Sequence, residues 1–117
     1  MQVKSSILDN GVKHIILDGR LDMQGVREVE LKFTAYASSE KAGVVVDLSS
    51  VPFLASIGIG MLISSAKAVQ NRGGKMVLLN PVPMVADLLT MMGINEIIPI
   101  FDDLDAACAG LLAGMKP

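Results

Sequence analysis

The stretch VVVDLSSVPFLASIGIGMLISSAKAVQNRGG, Val44 to Gly74, changes character twice. Val44-Val45-Val46 is a continuous β-branched run, the pattern of a strand buried on both faces. Ile59, Leu62, Ile63, Ala66 and Val69 recur at helical spacing and form one apolar stripe. The stripe stops at Gly73-Gly74, where a left-handed C-cap carries little strain. A buried strand that feeds a helix is half of a parallel crossover unit. Between the two lies a long polar-apolar connection, Asp47 to Gly58.

The alternation continues on both sides. Downstream, Met76 to Leu79 reads as another buried strand. Asn80 then offers an N-cap with Pro81 at the first helical position, and Val82, Val85, Leu89 and Met92 make the stripe of a helix ended by Gly93. Ile97 to Ile100 reads as a short last strand, and Asp102 or Asp103 caps a final helix carrying Leu104, Ala107, Cys108 and Leu111. Upstream, Asp22 caps a helix with Val26, Val29, Phe33 and Tyr36 on one face. Before it, Gln2 to Leu8 and Val12 to Leu17 read as strands joined by Asn10-Gly11, a dipeptide favoured in tight hairpins. The order predicts an α/β fold: a mostly parallel sheet with an N-terminal antiparallel hairpin, covered by about four helices. Right-handed crossovers then bring Asp18–Asp22, Asp47–Gly58 and Asn80–Val85 to one edge of that sheet.

Composition sets the outer bounds. The 117 residues suit one domain, residues 1–117, and no linker or repeat divides them. A chain that is 51% hydrophobic and 19% charged is not a disordered tail. Its net charge of -2 and lack of a basic run exclude an electrostatic footprint for nucleic acid. One Cys and one His build neither a disulfide framework nor a zinc site, so no metal or cofactor is expected. Residues 48–66 carry no charge, but Pro52, two glycines and five serines suit a loop entering a helix better than a membrane span. The N-terminal residues have no apolar signal region, and the expected compartment is the cytoplasm. With aromatic residues at 3%, the eight methionines read mainly as core filler.

Within the connection, Ser56 falls just before the helical stripe, where a hydroxyl can cap the helix. A phosphate on it would sit at the positive end of the helix dipole. Gly58 and Gly60 then leave that helix end open to an approaching partner. Ser56 lacks the surroundings of a catalytic nucleophile, because Leu54 stands where a nucleophile elbow needs glycine. His14, the one imidazole, reads as a strand residue with a local hydrogen bond. Gly58-Ile59-Gly60 fails as a dinucleotide fingerprint, since Ile63 takes the third glycine's place. Asp47 reads as a carboxylate bonding the turn that follows it, and Cys108 as core.

DLSSVPFLASIGIG, Asp47 to Gly60, followed by GGKMVLLNPVPMVADLLTMMGI, Gly73 to Ile94, resembles the STAS domain family. More narrowly it resembles the bacterial anti-sigma factor antagonists. The resemblance runs from Gly19-Arg20-Leu21-Asp22 to the final helix, nearly the whole chain. The family opens its helix with Asp-Ser-Ser/Thr-Gly, and here the tetrad reads Ala55-Ser56-Ile57-Gly58. Ala55 thus replaces an Asp, and Ile57 a small hydroxyl residue.

The resemblance implies a phosphorylation-gated switch rather than an enzyme. An anti-sigma factor that is also a serine-protein kinase binds the unmodified domain and phosphorylates it, and a PP2C-type metal-dependent phosphatase restores it. The implied acceptor is Ser56, with Asp22, Ala55, Ile57, Gly58, Gly60 and Met61 at or near the docking face. The alternative is a constitutive STAS docking module that phosphorylation does not control. No cofactor, nucleic acid or membrane enters either reading.

Overall fold

The computed structural model describes residues 1–38 and 43–114. They form a five-stranded sheet in the order β1-β2-β3-β4-β5. β1 (Gln2–Ile7) and β2 (Lys13–Asp18) are antiparallel. β3 (Val44–Ser50), β4 (Met76–Leu79) and β5 (Ile100–Phe101) continue in parallel from β2. The connections are α1 (Met23–Ser38), α2 (Ser56–Asn71) and α3 (Pro83–Met91), and α4 (Leu104–Gly114) follows the last strand. This is the expected α/β arrangement, with the antiparallel pair at one edge.

Alternation along the strands divides the core into two layers. Ile15, Leu17, Val44, Val46, Leu48 and Leu78 face the helix layer that contains Phe33 of α1, Leu62 of α2 and Leu89 of α3. Val45, Val77 and Leu79 face the other way, against Ala107, Cys108 and Leu111 of α4. Cys108 is therefore core, as its place on the α4 stripe indicates. Among the described residues, no helix is long and apolar enough to cross a membrane.

Three boundaries differ from the sequence reading, each because a backbone group is already committed. Asn80 is not the cap of α3: its N–H donates to the Phe101 carbonyl at 2.7 Å, extending the sheet, and its φ is 52°. Asn tolerates that left-handed turn. The helix starts only at Pro83, with Val82 as N-cap. Ile97–Ile100 is not a continuous strand. A 3-10 turn at Ile94–Glu96 takes the Ile97 and Ile98 N–H groups, and pairing begins at Ile100. The hairpin has no two-residue turn: Leu8 N–H donates to Val12 O, while the Asn10 side chain accepts the Val12 N–H.

The methionines depart further. Met61 and Met76 are buried, but Met23, Met84, Met91 and Met92 are exposed. Branched aliphatic residues and Phe33 fill most of the interior instead.

Candidate functional site

Beyond the end of β2, the chain remains paired to the connection after β3. Gly19 N–H donates to Ser50 O, Leu21 N–H to Phe53 O, and Ala55 N–H back to Leu21 O, at 2.9–3.0 Å. Leu21 and Leu54, both buried, form a parallel bridge at the middle of this ladder. The connection is thus held as a strip of backbone pairing, and it delivers Ala55 and Ser56 to a fixed place. The Ala55 carbonyl then accepts from Gly58 and Ile59, closing the first turn of α2.

Ser56 is the first residue of α2, one place later than its expected role as cap. Ala55 occupies the N-cap position in extended backbone and makes no side-chain cap. The N-terminal N–H groups of a helix have no acceptor within the helix, and they add to the positive end of its dipole. The Ser56 side chain is exposed there. An anion on its oxygen is electrostatically favoured at that place.

The predicted docking residues separate into two sets. Ser56, Ile57 and Gly60 are exposed, and a Cβ at Gly60 would meet no atom within 4 Å. Gly58 does not leave the helix end open. A Cβ there would lie 2.7 Å from Leu21 O and 2.8 Å from Leu21 Cγ. Gly58 is the close-packing point that lets α2 start against the β2 extension. Met61 is 5% exposed and belongs to the core between α1 and α2. Both support the surface from below, because the helical period turns them toward the sheet. A shallow depression of about 360 Å³ runs along the exposed side of α2, past Ile57, Gly60, Ser64 and Ala68, with Glu30 and Thr34 of α1 opposite.

Asp22 caps α1, its Oδ1 accepting the Gly25 N–H at 2.9 Å. That backbone hydrogen bond lowers its pKa below the ordinary 3.8, with help from Arg20, whose Nε lies 3.4 Å from Oδ2. The Arg20 guanidinium also lies 4.2 Å above the Phe53 ring. Neither Arg20 nor Phe53 stands out in the sequence. Their pairing depends on the backbone ladder between the two segments, which no local pattern encodes.

On the opposite face of the sheet, Asp47 behaves as expected: its Oδ1 accepts both the Ser49 N–H at 2.8 Å and the Ser49 hydroxyl at 2.7 Å. His14 does not have the expected hydrogen bond. Its Nε2 is buried without a hydrogen-bond partner and sits 3.7 Å from Asp47 Oδ2. Among the described residues, no group of three or more His, Cys, Asp or Glu side chains could hold a metal.

The STAS domain model matches residues 6–107 of the chain. An anti-sigma F factor antagonist from Paenibacillus polymyxa is 30% identical over 94 residues, 80% of each chain. An anti-sigma factor antagonist from Mycobacterium paratuberculosis has a similar structure, with a TM-score of 0.80 at 22% identity over 95% of both chains. The anti-sigma factor antagonist SpoIIAA in its unphosphorylated form superposes with a TM-score of 0.75 at 18% identity, covering 99% of this chain and 100% of the other. The phosphorylated form of the Bacillus protein gives 0.66 at 18%, covering 90% and 96%.

Proposed function

The chain belongs to the STAS domain family, and from its kinship with anti-sigma factor antagonists we propose that it is a partner-switching regulator. In the unmodified state it binds an anti-sigma factor that is also a serine kinase. Phosphate transfer to Ser56 ends that binding, and a PP2C-type phosphatase resets the switch. The protein acts as a binding partner and phosphoacceptor, not as an enzyme.

The observation that carries this reading is the exposed Ser56 side chain at the first position of a sixteen-residue helix that uses no side-chain cap. The nearest competitors are less suited. The Ser49 hydroxyl is bonded to Asp47, and Ser50 lies within β3 with its carbonyl accepting from Gly19. A structural relative has been solved in both unphosphorylated and phosphorylated forms, which supports a fold that accommodates either state.

The test is incubation with ATP and the cognate anti-sigma kinase, followed by mapping of the phosphate and titration of both forms. Phosphate is expected on Ser56, labelling is lost in Ser56→Ala, and affinity falls by roughly a hundredfold or more on phosphorylation, a change of about 2.7 kcal/mol. Undiminished labelling of Ser56→Ala moves the site elsewhere. Equal affinity of the two forms replaces the switch with the second reading, a constitutive docking module. Ile57 is the observation behind that second reading: an apolar side chain, 42% exposed, beside the hydroxyl favours permanent contact.

A further inference from the structure

The apolar stripe of α3 that enters the core, Val85 and Leu89, leaves a second stripe unused. Met84, Leu88 and Met91 lie at i, i+4 and i+7, so they share a face. Met84 is 65% exposed and Met91 is 82% exposed. Together with Phe53 and Leu54 they line a groove of about 340 Å³ between α3 and the connection that ends at Ser56. Asp87, on the exposed side of α3, supplies the charge at this groove.

We propose that this groove is a second docking element for the anti-sigma partner that engages Ser56. The segment it takes is apolar, with a Lys or Arg placed to meet Asp87. This deepens the partner-switching reading and rests on it. Three observations select that occupant. Phe53 and Leu54 run directly into Ala55 and Ser56 in one paired strip of backbone, so a partner seated at Ser56 meets the groove without a gap. Methionine side chains are unbranched and polarisable, and they adapt to a partner's apolar surface. The charge of Asp87 favours a basic residue at the rim and repels an anionic lipid surface. A second copy of this chain fits less well: α3 has no Lys or Arg, so two copies packed through this face would oppose Asp87 with Asp87.

The two sites are separable by titrating the purified cognate anti-sigma factor onto the full-length chain and three variants. Met84→Ser with Met91→Ser is expected to weaken binding about tenfold or more, and Asp87→Lys several-fold with a changed salt dependence. Ser56→Ala is expected to bind like the unmodified chain. An unchanged affinity for the folded double variant overturns the groove and leaves the Ser56 switch standing. Equal binding of the phosphorylated and unmodified chain overturns the switch, whatever the methionines do. If the double variant does not fold, methyl NMR of the unsubstituted chain decides. The Met84 and Met91 methyl signals must shift on adding the anti-sigma factor, while buried Met76 serves as the unmoved reference. Signals that stay in place overturn the proposal. So does a concentration-dependent dimer that the double substitution abolishes, or a shift produced by anionic vesicles in place of the protein.

Discussion

Gly58 and Gly60 are two residues apart on α2, which points them to nearly opposite sides of the helix. One meets the Leu21 backbone and the other meets nothing. A methyl group therefore has opposite consequences at the two positions. Gly58→Ala is expected to destabilise the fold by about 1–3 kcal/mol, because Leu21 and its backbone must shift. Gly60→Ala is expected to stabilise it by about 0.5–1 kcal/mol, since a glycine inside a helix loses more entropy than alanine. Urea unfolding of both variants measures the pair, and two changes of the same sign would contradict this packing. Gly60→Arg extends the test to function: the fold stays intact, and a bulky side chain beside Ser56 weakens partner binding.

Asp22 gives a residue-scale prediction with a direction. Its folded pKa is below 3.8 because the charged form accepts the Gly25 N–H and faces Arg20. A depressed carboxylate contributes stability above its unfolded pKa and loses it as pH falls through the lowered folded value. Asp22→Asn keeps an oxygen to cap the helix but removes the charge. The difference in stability between the native chain and Asp22→Asn is then constant near neutral pH and shrinks only below about pH 4. A difference that changes around neutrality would assign the effect to another group. Arg20 and Asp22 are both solvent-accessible, so added salt reduces the difference as well.

At the scale of elements, the helix starts explain what was legible. The sequence allows two caps for α4, Asp102 and Asp103, and the structure uses Asp103, whose Oδ2 accepts the Ala106 N–H at 3.0 Å. Asp103→Ala is expected to cost about 1 kcal/mol, while Asp102→Ala changes little. Thermal unfolding of the two variants checks the assignment. Periodicity located α1 through Val26, Val29 and Phe33, and β3 through its valines, because burial of these side chains is decided by spacing alone. It failed at Asn80 and at Ile97–Ile98. There the N–H groups are taken by Phe101 O and by the carbonyls of Ile94, and only the assembled sheet decides such competition. The same limit applies to the site. Ser56 and Gly60 were legible as the exposed start of a helix, whereas Gly58 and Met61 look equally available until the Leu21 extension is in place beneath them.

At the scale of the whole molecule, the question is whether phosphate on Ser56 would change the fold or the contact. Phosphorylation adds roughly 1.5 to 2 negative charges at neutral pH. At an exposed helix N-terminus such charge is favourable by about 0.3–1 kcal/mol. Ser56 points away from the core, and its neighbour Ala55 is fixed by the Leu21 carbonyl at 3.0 Å, so nothing buried must move to admit the group. The modified domain is therefore expected to keep its circular dichroism and to melt within a few degrees of the unmodified one, with any shift upward. Loss of partner affinity must then arise where the new anion meets the partner, through like-charge contact and desolvation that can reach several kcal/mol. Amide NMR separates the two mechanisms. Shift changes confined to Ser50–Ser64 and Gly19–Gly25 place the switch at the interface. Changes that spread through β4, α4 or the layer around Cys108 would mean that phosphate acts by rearranging the fold, and the interface account would fall.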